Sequence, residues 1–128
     1  MIDHTGVNIS NPEKSKKFYD QALGAIGYKI VKDLPKEITG GVMVLGYGEA
    51  DLADFWVIQA PANKPHIHVA FRVKTRKQVD EFYKAALAAG GKDNGAPGPR
   101  PHYHENYYGA FVLDPDGHNI EAVCRTAE

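Results

Sequence analysis

Two histidines and one glutamate stand where their donor atoms could share a metal ion: His4, His68 and Glu121. Two imidazoles and a carboxylate form a facial donor set that leaves coordination positions open, suited to Fe(II), Mn(II), Ni(II) or Zn(II). His68 sits in His66-Ile67-His68-Val69-Ala70-Phe71-Arg72-Val73, which alternates with period two and so reads as a strand. Ile67, Val69, Phe71 and Val73 share the apolar side, leaving His66, His68, Ala70 and Arg72 on the other. Glu121 lies between Ile120 and Ala122, and a carboxylate inside a strand is costly to bury without a cation. The plainer alternative makes His4 and His68 ordinary strand histidines and pairs Glu121 with Arg72. Any one of the three alone favours that alternative; all three together favour one divalent ion per site.

The elements that must position these residues come as a duplicated unit. Ile2-Asp3-His4-Thr5-Gly6-Val7-Asn8-Ile9 repeats in the His68 strand at an offset of 64 residues. The same offset matches Phe18-Tyr19 to Phe82-Tyr83, Ala22-Leu23 to Ala86-Leu87 and Gly27 to Gly91, with no gap. Applied to Glu121, it selects Val57 as the position of a fourth ligand, so a fourth carboxylate is missing.

Within each unit the order reads β-α-β-β-β. Asn11 or Ser10 caps a first helix with Pro12 near its start, and Phe18, Ala22, Leu23 and Ile26 fall on one side. Short strands follow over 28–32, 42–47 and 54–60. In the second unit Thr75 and Gln78 make a capping box, and Val79, Phe82, Tyr83, Ala86 and Leu87 form the buried stripe. Residues 94–104 hold three prolines and two glycines and read as an irregular loop. Strands over 106–113 and 119–124 make a hairpin across Asp114-Pro115-Asp116-Gly117, a type I turn sequence. The predicted architecture is α+β, with unit one over 1–60, a linker over 61–65 and unit two over 66–128. Helices would lie to one side of curved sheets in a single domain. The opposite faces would line a ligand cavity.

With 128 residues, 43% of them hydrophobic, the chain can bury one core, and units of about sixty residues would be marginal apart. A net charge of −1 without a basic run argues against nucleic acid or a membrane surface as partner. One cysteine excludes an internal disulfide, and a strand starting at residue 2 leaves no room for a signal peptide. A cytoplasmic protein is expected.

The segments Asp3-His4, Ser15-Lys16-Lys17-Phe18-Tyr19, Leu23-Gly24, His68-Val69-Ala70-Phe71 and Asp114-Pro115-Asp116-Gly117-His118-Asn119-Ile120-Glu121 resemble the vicinal oxygen chelate superfamily over the whole chain. That group includes glyoxalase I, fosfomycin-resistance thiol transferases, extradiol dioxygenases and bleomycin-resistance proteins. The stretch from Asp93 to Gly98, with Arg100-Pro101-His102-Tyr103-His104 and Asn106-Tyr107-Tyr108, resembles a glyoxalase-like branch of it. The resemblance implies that His4, His68 and Glu121 are the metal ligands and that paired units close around a cavity. It further implies a homodimer whose site takes His4 from one chain and His68 and Glu121 from the other. Val57 departs from the four-ligand glyoxalase I pattern and points to the three-ligand members.

Around the metal, His102, His104 and Tyr108 are expected as proton-moving or orienting groups. Arg100, Tyr103, Tyr107 and Trp56 are expected to touch a small-molecule substrate. Arg100 would hold a carboxylate or be solvated. Trp56 would wall the cavity or, by its parity with Val57, join the core. His118 in the turn is expected to be exposed, and Cys124 to be a small buried hydrophobe. Two functions compete on these residues. One is a metal enzyme in which the ion chelates adjacent substrate oxygens as a Lewis acid, of lyase, isomerase, thiol-transferase or dioxygenase type. The other is a metal-free module that sequesters an aromatic or drug-like compound.

Overall fold

The computed structural model describes every residue from Met1 to Glu128. The first unit runs β1 (Thr5–Ile9), α1 (Pro12–Gly24), β2 (Lys29–Asp33), α2 (Lys36–Thr39), β3 (Val44–Gly48) and β4 (Phe55–Gln59). The second runs β5 (His68–Val73), α3 (Arg76–Ala88), β6 (Lys92–Pro99), β7 (Tyr108–Leu113) and β8 (Asn119–Cys124). Each unit makes one four-stranded sheet, ordered β1-β4-β3-β2 and β5-β8-β7-β6. In both, the first and last strands pair in parallel and the rest antiparallel. The duplicated α+β architecture is therefore present.

Local chemistry starts both long helices as the sequence predicts. The Asn11 side chain accepts from the Lys14 N–H at 3.1 Å, with Pro12 at the first helical position. Thr75 and Gln78 form the reciprocal capping box. Phe18, Tyr19, Ala22 and Leu23 of α1 and Val79, Phe82 and Ala86 of α3 are buried. The two helices pack on each other, and 21 buried residues from both units form one cluster. Phe55 of the first sheet meets Phe71 of the second edge-on at 5.1 Å. Each sheet thus turns one face to a shared core and leaves the other open.

Two expectations about the elements are corrected. The stretch 94–104 is not irregular throughout, because β6 runs to Pro99. It is the outer strand of its sheet, where a missing N–H need pair with nothing, and its register against β7 shifts twice, around Gly95 and before Gly98. Bulges and an outer position are where strands admit proline and glycine. The weak stretch after β2 contains the four-residue helix α2, closed by Gly40 at φ 75°.

The turn at Asp114–Gly117 fastens the two units. The Asp114 carboxylate accepts from Tyr19 Oη at 2.6 Å and from the N–H groups of Asp116 and His118 at 2.9 and 2.8 Å. Asp116 accepts from the Ser10 N–H at 3.0 Å and from its hydroxyl. His118 is fully buried rather than exposed. Its Nδ1 accepts from the Ile67 N–H at 3.0 Å and its Nε2 donates to the Asn8 carbonyl at 2.9 Å, which fixes the tautomer and ties β1 to the entry of β5. Hydrogen-bond demand, not turn position, put this imidazole inside.

Candidate metal centre

Glu121 is buried on β8, 1% exposed, with its side chain on the open face of the second sheet, because Ile120, Ala122 and Cys124 take the core side. Its Oε1 lies 3.0 Å from Nε2 of His68. Tyr107 donates its hydroxyl to Oε2. Arg72 makes no ion pair with Glu121, so the alternative drawn from the sequence is not what holds it. Burial first, and then the bond to Glu121, push the Tyr107 hydroxyl up to about 12, so it remains a donor at neutral pH. Ligands bound at about 2.1 Å and at right angles stand about 3 Å apart, and His68 Nε2 and Glu121 Oε1 already have that spacing.

The third donor is elsewhere. His4 immediately precedes β1, is largely exposed, and bonds through Nδ1 to its neighbour Asp3 at 2.7 Å. It borders hollows with Gly6, Leu34, Val44, Trp56 and Ile58 on the open face of the first sheet. A hollow of about 470 Å³ beside His68 takes in Ile2 and Asp3 but not the His4 ring. No three His, Cys, Asp or Glu side chains converge anywhere in the chain. Strand parity explains this, since His4 faces the side of the first sheet that carries Gly6 and Trp56, whereas His68 faces the side of the second that carries Glu121. One chain therefore unites two of the three expected ligands.

The loop residues divide. From Glu121 a line of rings leads outward, Tyr107 edge-on to Tyr103 at 5.1 Å and Tyr103 against His102 at 4.2 Å. Arg125 covers the Tyr107 ring at 5.0 Å. His104 is exposed and accepts the Asn106 N–H at 3.2 Å. Neither His102 nor His104 bonds to His68 or Glu121. Tyr108 corrects the sequence reading: its hydroxyl donates to Asp80 of α3 at 2.7 Å and its ring lies under Arg76 at 5.0 Å, on the helix side. Adjacent strand residues point oppositely, so the tyrosine that touches Glu121 had to be its neighbour. Arg100 spends its guanidinium on the carbonyls of Ala96, Gly98 and Pro99 and stacks over Phe111 at 5.6 Å. It is tied to its own strand rather than left solvated.

Trp56 also corrects the reading from parity. It is half-buried on the open face with His4, and Val57, fully buried, is the core residue. The pairing shows why the repeat offset misplaced the fourth ligand. Ala70 of β5 faces Glu121, and its repeat mate Gly6 of β1 faces Trp56, not Val57. One residue enters between the strands, the offset becomes 65, and the indole stands where the second sheet has its carboxylate. Cys124 is buried in the core as expected. A hollow of about 620 Å³ lies at the Asp114–Gly117 turn beside Lys14, Lys17 and Lys92, away from these donors. No helix is long and apolar enough to cross a membrane.

Comparison with known proteins gives three kinds of result. The model of the Glyoxalase/Bleomycin resistance protein/Dioxygenase superfamily matches residues 1–122. No curated protein matches the sequence. Among solved structures, a glyoxalase/bleomycin resistance protein from Albidiferax ferrireducens is 28% identical, with 97% of this chain covered, 98% of the other and a TM-score of 0.76. A glyoxalase I mutant from Zea mays is 18% identical, with 99% of this chain and 45% of the other covered and a TM-score of 0.70. A fosfomycin resistance protein mutant from Listeria monocytogenes, in complex with Mn(II) and a dihydroxypropylphosphonic acid, is 15% identical, with 95% and 87% covered and a TM-score of 0.66.

Proposed function

The chain belongs to the glyoxalase/bleomycin resistance protein/dioxygenase superfamily, and on that premise we propose that it is a divalent-metal-dependent enzyme acting on a small substrate held through paired oxygens. The observation that carries this reading is the buried carboxylate of Glu121, 3.0 Å from a histidine nitrogen, with a tyrosine hydroxyl as its only other side-chain partner. An imidazole and a carboxylate aimed at one point fit a metal such as Mn(II), Fe(II), Ni(II) or Zn(II). When bound, the ion would supply Lewis-acid stabilisation of charge developing on substrate oxygen.

The ligands of one site are His68 and Glu121 of one chain and His4 of a second copy. The open-face position of His4 supports this, because Asp3 takes its Nδ1 and leaves Nε2 without a partner at the surface of its own chain. Assembly of two copies, the smallest closed symmetry, makes two equal sites. Tyr107 holds Oε2 of Glu121, leaving Oε1 for the ion. Tyr103 and His102 continue outward as stacked rings, and on this reading the exposed His102 would be the group that exchanges a proton with bulk water.

Metal analysis of protein purified without chelator tests the reading. About one divalent ion per chain is expected, lost in His68→Ala and in Glu121→Ala. An ion content near zero that reconstitution does not raise would overturn it. The metal-free binding module is the second reading, favoured by the apolar open face around Leu34, Val44, Trp56 and Ile58. It predicts ligand affinity that chelators do not change.

A further inference from the structure

The two open faces differ in chemistry although they descend from one repeat. The second sheet presents His68, Glu121 and Tyr107. The first presents His4 beside Leu34, Val44, Trp56 and Ile58 around a hollow of about 370 Å³, with Lys32 and Asp51 on a neighbouring hollow that His4 and Trp56 also border. Trp56 occupies the repeat equivalent of Glu121, paired with Gly6 and Gly46 where Glu121 is paired with Ala70 and Phe111.

The indole has a seat made for it. A Cβ on Gly46 would come within 3.0 Å of two carbons of the six-membered ring and 2.7 Å of the Ala53 Cβ. A Cβ on Gly6 would come within 2.8 Å of the Trp56 carbonyl oxygen and 3.2 Å of its Cβ. Glycine at position 46 therefore lets the ring lie down against β3, and glycine at position 6 lets β1 approach the Trp56 backbone. One face of the indole rests on the sheet, and the other borders the hollow that also contains His4. A flat, rigid aromatic surface beside a metal ligand orders a flat apolar group by stacking.

We propose that this hollow is the specificity subsite: it takes a planar apolar group, an aromatic ring above all, carried by the same molecule whose paired oxygens bind the metal. The inference rests on the metal reading for the oxygens, but Trp56 and its seat stand independently of it. Small polar substrates would leave the hollow wet and gain nothing from the indole. Aromatic ones gain its whole face, so selectivity for the ring falls to Trp56 and the chelating end is common to both.

Trp56 is the only tryptophan, so its fluorescence reports this hollow directly. Zinc-loaded protein is titrated with benzohydroxamate and with acetohydroxamate, which share the chelating group and differ in the ring. Benzohydroxamate should quench Trp56 and bind about tenfold tighter than acetohydroxamate, a gain on the scale of one aromatic pair plus its buried area. Isothermal titration of Trp56→Ala, and of Trp56→Leu as the variant that keeps an apolar side chain without a ring, should show that preference gone and acetohydroxamate affinity retained. Equal affinities in the unaltered protein, or a preference that survives both substitutions, would overturn the proposal. Quenching by benzohydroxamate in protein that binds no zinc would discard the metal reading and keep the subsite. Absence of quenching in both forms would discard the subsite.

Discussion

Glu121 shows what a single buried acid demands. Its two oxygens find an imidazole and a phenol, and both partners lie on the open face of its own sheet. Removing the phenol oxygen by Tyr107→Phe should leave the fold intact and free Oε2 to turn. Loss of such an outer hydrogen bond typically weakens metal binding by about 10- to 100-fold, so calorimetric zinc affinity should fall within that range. An unchanged affinity would mean that Tyr107 only packs. His118 makes a separate prediction. His118→Ala strands the Ile67 N–H and the Asn8 carbonyl inside the protein, each at roughly 1–3 kcal/mol. Urea unfolding should report a loss of about 3 kcal/mol, with the metal content of the folded protein unchanged. The three metal candidates were visible in the sequence because their types and repeat positions are unusual together. The place of Trp56 as the repeat equivalent of Glu121, and the burial of His118, were not. A constant offset cannot register one residue gained between strands, and a turn sequence does not announce that a distant carbonyl will claim its imidazole.

At the scale of the element, capping chemistry was the most legible part of the chain. Asn11 and Thr75 start their helices where the sequence places them, because a cap depends on residues three apart and on nothing distant. β6 was illegible for the opposite reason: its prolines are tolerated only because β7 lies on one side and nothing on the other. Elements here are also joined by tyrosine–acid pairs, Tyr19 with Asp114, Tyr47 with Asp20 and Tyr28 with Asp54. Burial first, and then the paired carboxylate, raise all three hydroxyls well above the ordinary tyrosine range. A raised value means that the folded protein keeps a proton the unfolded chain has lost. That contribution is complete below about pH 10 and declines as pH rises beyond it, by up to about 1.4 kcal/mol per unit for each fully buried hydroxyl. Urea midpoints should therefore fall between pH 9 and pH 11, and Tyr47→Phe should make the fall shallower. A midpoint independent of alkaline pH would contradict these pairs. Asp114 has the same sign in acid, since burial raises it despite the hydrogen bonds that oppose the rise.

The whole molecule is two copies of one unit around one core, and that arrangement decides the function proposed here. Sharing a core on the helix side commits both sheets to turn their functional faces away from it. The repeat made the architecture readable in advance, from His4 and His68 through Gly27 and Gly91. It did not reveal that the His4 ring opens on a different sheet face from His68 and Glu121. On the proposed metal reading a second copy completes the site, and light scattering should then find a dimer. Subunit mixing tests it most directly. His4→Ala and His68→Ala should each bind no zinc alone. Co-refolded in equal amounts, they should recover about one quarter of the unaltered zinc content, because half of the pairs are mixed and each mixed pair has one intact site of two. No recovery, from two variants that still pair, would contradict a centre shared between chains.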